Sequence, residues 1–110
     1  MQVLLNQFQL RPGTNIEELS RAWKNFANYL IEHELASRVS TVFDRLTASD
    51  FDSDEGSLHT HCSMIFFKDA KQAALAWEAI EHDLEPLAFL HREVMRLVKK
   101  PSFTFWNNEE

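Results

Sequence analysis

Glycine is almost missing from this chain, with only Gly13 and Gly56 among 110 residues. Phosphate-cradling loops and dinucleotide-binding turns need several glycines at fixed spacing, so both are excluded. Cysteine is rarer still. Cys62 stands alone, which rules out an internal disulfide and any paired-cysteine metal knuckle. Positive charge is also short: eleven Lys and Arg stand against seventeen Asp and Glu, for a net charge of -6. The basic residues are scattered, and without a basic stripe neither nucleic acid nor an anionic membrane surface is an expected partner. No apolar run approaches the length of a bilayer span, and the opening MQVLLNQFQL has neither the basic flank nor the cleavage site of a signal peptide. The expectation is a soluble, cytoplasmic protein.

What the chain does contain is enough apolar material, 45% of its residues, for one compact domain spanning residues 1–110. Its organising stretch is LHTHCSMIFFKDAKQAALAWEAIEHDL, from Leu58 to Leu84, where an alternating strand passes almost directly into an amphipathic helix. Side chains alternate along a strand, so Leu58, Thr60, Cys62, Met64 and Phe66 share one face and His59, His61, Ser63, Ile65 and Phe67 the other. The first set is richer in apolar residues and is the expected core face, with Cys62 as a small buried hydrophobe. Asp69 is placed to cap a helix whose inner stripe would be Ala73, Trp77, Ile80 and Leu84.

Upstream, Val3 to Leu10 reads as a strand with Leu4, Asn6, Phe8 and Leu10 on its apolar face. Arg11-Pro12-Gly13-Thr14 makes a turn, and Thr14 with Glu17 forms a candidate capping box. The helix that follows carries Ile16, Leu19, Trp23, Phe26 and Leu30 at helical spacing, with His33 extending the stripe. Arg38 to Ala48 is rich in β-branched residues and predicts a second strand. Ser49 to Ser57 predicts an acidic loop whose ligand order fits no EF-hand. Glu85-Pro86 interrupts the second helix, Leu87, Leu90, Val94, Leu97 and Val98 continue a stripe beyond it, and Ser102 to Trp106 ends the pattern as a short strand.

The order is β-α-β-β-α-β. It predicts an α+β, ferredoxin-like fold: a four-stranded antiparallel sheet with both helices on one face. The bare face would leave parts of Val3, Leu5, Ile65, Phe67, Phe105 and Trp106 uncovered, so a second copy is expected to cover it. A short first strand ending in Pro-Gly, a long first helix, a third strand running directly into a Pro-broken second helix and an aromatic last strand together resemble the dimeric α/β barrel superfamily. The resemblance covers essentially the whole chain. It implies a homodimer whose sheets close a barrel, with a pocket between sheet and helices in each subunit. Members include cofactor-independent and haem-degrading monooxygenases and proteins with no assigned activity, and the fold alone does not select among them.

In haem-degrading members a functional Asn on the first strand precedes the turn Gly by the spacing seen between Asn6 and Gly13, and a Trp and a His from the second helical segment resemble Trp77 and His91. Here His91 stands farther beyond Trp77 than in that family. Asn6, Trp77 and His91 are therefore the candidate catalytic residues, with haem an alternative to a cofactor-free site. Read without the resemblance, Asn6 is a core amide, Trp77 packing and His91 a helix-edge residue. His59 and His61 have the spacing of two ligands to one metal but lack an evident third, and paired surface or interface histidines are the competing reading. No nucleophile motif is present, Ser63 beside His61 having no recognisable triad partner.

Leu4, Phe8, Trp23, Phe26, Tyr29, Leu30, Met64, Leu90 and Val94 are the expected lining of a pocket between sheet and helices. Asn6, Tyr29 and His91 could supply its hydrogen bonds. Such a lining suits a fatty-acid-like or aromatic polyketide-like ligand. The remaining alternatives are a monooxygenase and a structural or regulatory dimer with a filled core.

Overall fold

The computed structural model describes residues 1–46, 50–53 and 58–108. Its elements run β1 (Gln2–Leu10), α1 (Ile16–Glu32), β2 (Arg38–Val39), β3 (Phe43–Asp44), β4 (His61–Phe67), α2 (Ala70–Glu81), α3 (Leu87–Met95) and β5 (Val98–Asn107). The sheet order is β2-β4-β1-β5, with β3 also pairing with β4, and every pairing is antiparallel. This is the expected ferredoxin-like arrangement, with one correction. The second strand is split in two. Ser40 sits at the break, where its Oγ accepts from the Met64 amide and donates to the Thr41 carbonyl, so a side chain takes over part of the ladder. The predicted extension of that strand to Ala48 stops at Asp44: Arg45 and Leu46 are not strand, and residues 47 and 48 lie outside the described set, as do 49 and 54–57 of the acidic loop.

Local chemistry sets the boundaries. Asn15, not Thr14, caps α1, its Oδ1 accepting from the Glu18 amide at 2.8 Å. Gly13 turns the chain at φ +86°, a conformation that disfavours any side chain. Asp69 caps α2 as expected, accepting from the Gln72 amide. β5 is longer than predicted and runs through Pro101. That is possible because β5 lies at the sheet edge and its register against β1 shifts between Gln7 and Gln9.

One face of the sheet carries the core. Leu19, Trp23, Phe26 and Leu30 of α1 are buried as the stripe predicts, while Ile16 and His33 at its ends are exposed. They meet Phe8 of β1, Ile65 and Phe67 of β4, and Leu87, Val94 and Leu97 from the α3 region. The expected face of β4 is therefore reversed. Ser63, Ile65 and Phe67 point into the core, and Cys62, Met64 and Phe66 lie on the opposite face. The register explains this: Ile65 stands beside Leu4 and Ser63 beside Asn6, and residues directly opposite on paired strands share a face.

The bare face carries Val3, Leu5 and Gln7 of β1, Cys62, Met64 and Phe66 of β4, and Ser102, Thr104 and Trp106 of β5. Arg38 lies over the Phe66 ring, 4.2 Å from its centroid. Burial raises the pKa of the Cys62 thiol, which disfavours the reactive thiolate. The stripe of α2 is also rotated from its expected position. Gln72 and Ala76 are the buried residues, whereas Trp77 and Leu84 are exposed. Gln72 can be buried because its amide is used at both ends: Oε1 accepts from the Lys68 amide and Nε2 donates to the Glu34 carbonyl.

Candidate functional site

The helix-side face of the sheet is mainly apolar, and a polar pair interrupts it near its middle. There Ser63, Asn6 and Phe103 stand side by side on β4, β1 and β5. Asn6 is 7% exposed and Ser63 fully buried. Nδ2 of Asn6 donates to Ser63 Oγ at 3.3 Å and to the Ser63 carbonyl at 3.4 Å. A carbonyl can only accept, so the amide nitrogen must face Ser63 and Oδ1 must point away from it. Oδ1 makes no hydrogen bond among the described residues, yet no buried side-chain nitrogen or oxygen there lacks a partner. It therefore lies at the margin of the buried zone, within reach of solvent.

That margin is aromatic. The helices cover β4 and β1 more fully than the edge strand β5, and Phe103 and Phe105 remain 54% and 52% exposed on the helix side. Phe105 stacks on Phe67, their centroids 6.0 Å apart and their planes 15° from parallel. A fixed amide thus stands one strand inward from a half-open aromatic rim. The arrangement can accept a hydrogen bond from a hydroxyl while the rim holds an apolar body.

The other expected site residues are distributed differently. Phe8, Trp23, Phe26, Leu30 and Val94 are core, and Leu4, Tyr29 and Leu90 pack against it. Met64 lies on the opposite face of the sheet, a consequence of the reversed β4 assignment. Trp23 donates through Nε1 to the Ser40 carbonyl at 2.7 Å, which ties α1 to the split strand. Tyr29 stacks on His33 at 4.0 Å and makes no side-chain hydrogen bond among the described residues. Leu90 borders a groove of about 250 Å³ between α1 and α3, crossed by an ion pair from Arg96 to Glu18, while Arg96 also pairs with Glu93 along α3.

His91 is half-buried against Phe26, with centroids 5.7 Å apart. Burial first, then the neighbouring Arg92 charge, lowers its pKa. Trp77 is 65% exposed and makes no aromatic contact among the described residues. No hydrogen bond or ring contact joins Asn6, Trp77 and His91 among the described residues. His59 precedes β4, while His61 opens that strand and stacks on Phe8 at 6.1 Å. No group of three His, Cys, Asp or Glu residues among the described residues is placed to hold a metal ion. Sequence reasoning missed Phe103 and the partnership of Asn6 with Ser63. Both depend on strand register, which no local pattern in this chain encodes.

No family model matches the sequence, and no curated protein matches it at a significant level. Solved structures do. The chain is similar to SnoaB, a cofactor-independent oxygenase from Streptomyces nogalater, with TM-score 0.70 and 10% identity over 99% of this chain and 93% of that one. It is also similar to a dimeric protein of unknown function and ferredoxin-like fold from Bacteroides fragilis, with TM-score 0.59 and 10% identity over 97% and 95% of the two chains. A hydroxynitrile lyase from Passiflora edulis gives TM-score 0.63 and 12% identity over 99% and 94%. At such identities the likeness establishes the fold alone. The chain has the ferredoxin-like fold.

Proposed function

From that fold, we propose that the protein is a homodimer that binds a small apolar molecule carrying a hydroxyl group, with Asn6 as its polar anchor. The observation that carries this reading is the unbonded Oδ1 of Asn6, held in place by Ser63 beside the half-open Phe103 and Phe105 rim. An amide fixed on one side and free on the other is a pre-ordered acceptor, and pre-ordering lowers the entropic cost of binding. Two phenylalanines at the rim favour an aromatic, polyketide-like ligand over a fatty acid, because ring faces offer stacking as well as burial.

Pairing through the bare sheet face is supported by its apolar residues, Val3, Leu5, Met64, Phe66 and Trp106. It is also supported by the dimeric state stated for the Bacteroides fragilis protein. A second reading, cofactor-independent oxygenation of the bound ligand, is favoured by the likeness to the Streptomyces nogalater oxygenase. In it Asn6 would orient the ligand hydroxyl. Neither reading calls on a cofactor.

The test is a fluorescence titration with 2-naphthol as probe, alongside light scattering after size-exclusion chromatography. Loss of one hydrogen bond in Asn6→Leu should weaken binding by about five- to tenfold, and Trp106→Asp should shift the dimer toward monomer. Equal affinity in wild type and Asn6→Leu would remove Asn6 from the site. A wild-type monomer would remove the dimer.

A further inference from the structure

A second constellation lies where β3 meets β4, apart from the Asn6 row. His61 is only 16% exposed at its side chain, and its ring is held against Phe8. On one side its Nε2 lies 2.9 Å from Oδ1 of Asp44, its cross-strand neighbour. On the other its Nδ1 lies 2.7 Å from Oγ1 of Thr60. An ionised carboxylate can only accept, so Nε2 carries the imidazole proton and Nδ1 presents a lone pair to the threonine hydroxyl. Acid, imidazole and hydroxyl stand in sequence, as the activation of a weak alcohol nucleophile requires.

The backbone fixes both ends of this relay. The Thr60 amide donates to the Phe8 carbonyl at 3.0 Å, and the Arg45 amide donates to the Thr60 carbonyl at 2.9 Å. Thr60 therefore sits on a braced segment although its side chain is open to solvent. Its surroundings in the chain are unusually apolar for a surface. Leu46 and Leu58, each two residues from Asp44 or Thr60, are large apolar residues left exposed, as is Phe51 farther along, whereas Phe43 pairs with Cys62 on the other side of the sheet.

We propose that Thr60, His61 and Asp44 form an acyl-transfer site in which Thr60 is the nucleophile, for esters or thioesters with an apolar acyl group. Thr60 Oγ1 bonds to the acyl carbon as its proton passes to His61 Nδ1, while Asp44 stabilises the imidazolium. The carbon–oxygen or carbon–sulfur bond to the leaving group breaks, and the leaving group takes the proton from Nδ1. Water then enters by the same route, releasing the carboxylic acid and restoring the Thr60 hydroxyl. The reaction consumes ester and water and needs no other reactant. The site is independent of the Asn6 anchor.

The experiment is a stopped-flow reaction of the full chain with p-nitrophenyl butyrate, followed by intact-mass and peptide mapping of acid-quenched protein. Wild type and Thr60→Ser should release a burst of p-nitrophenol and carry one butyryl group at residue 60. His61→Gln should slow acylation by about 10²-fold, in the range of general base catalysis, and Asp44→Asn should slow it less. Thr60→Val should show no burst with an unchanged circular dichroism spectrum. Butyryl groups found on lysine or histidine alone, an undiminished burst in Thr60→Val, or an absent burst in wild type would each overturn the proposal. Should Thr60→Val fail to fold, the mapped position of the acyl group in wild type and Thr60→Ser decides the matter.

Discussion

The pairing of Asn6 with Ser63 makes a quantitative claim about stability. Removing the hydroxyl in Ser63→Ala deprives Asn6 Nδ2 of its 3.3 Å partner and leaves it the longer 3.4 Å bond to the carbonyl. The expected cost is about 1 kcal/mol, toward the low end for a buried polar group because one acceptor remains. Asn6→Leu leaves the Ser63 hydroxyl buried without that partner, a penalty of about 1–3 kcal/mol that the added apolar burial of leucine partly offsets. The double variant removes both polar ends. It should therefore cost less than the sum of the single variants by about 1 kcal/mol, the coupling typical of residues in direct contact. Urea unfolding at fixed protein concentration reads this directly. With a slope of about 1–3 kcal/mol/M for a small protein, 1 kcal/mol moves the midpoint by roughly 0.3–1 M. Fixed concentration matters because dimer stability depends on it. Costs that add to within about 0.3 kcal/mol would show that the two side chains do not interact, and the argument for a pre-ordered amide would fail.

Two further outcomes follow from burial. Trp77→Ala should change stability by less than about 0.5 kcal/mol, since the ring is mostly in solvent; a loss of several kcal/mol in urea unfolding would restore Trp77 to the core stripe. His91 is held below its ordinary pKa of 6.5, so the unfolded state takes up its proton more readily than the folded state does. Its contribution is fully present above that value and is lost as pH falls toward the lowered folded value. The difference in melting temperature between wild type and His91→Gln should accordingly change as pH falls below about 6.5, and a difference that stays constant from neutral to acid pH would contradict it.

The helix α1 was legible because its buried residues, Leu19, Trp23, Phe26 and Leu30, are large, apolar and regularly spaced. β4 was not, for a physical reason. Both of its faces are partly apolar, and the face that enters the core includes Ser63 and begins with His61. Those two are tolerated inside because Asn6 answers one and Phe8 packs on the other. The decisive partners lie far away in the sequence, so alternation within the strand could not choose the face. α2 misled differently: Ala76 and a fully bonded Gln72 are buried while the larger Trp77 is not, so size was a poor guide to orientation. Asn6 could be singled out as a polar residue in an apolar run. Phe103 could not be joined to it without the register of β5. Asp44 and Thr60 likewise meet His61 only once β3 is folded against β4.

The central place of β1 has a consequence in time. Gln2 faces Phe67 on one side and Asn107 on the other, so both partners of this strand are made long after it. At about 5–20 residues per second, β1 leaves the ribosome on the order of ten seconds before β5 can join it. Throughout that interval at least one of its edges is open, and a segment as apolar as VLLNQFQL is then free to pair with a neighbouring nascent chain. The same long-range pairing makes refolding slower than that of helical bundles of this size, which fold in microseconds to milliseconds. Yield during expression should thus depend on how quickly the last strand is delivered, even where the finished protein is stable.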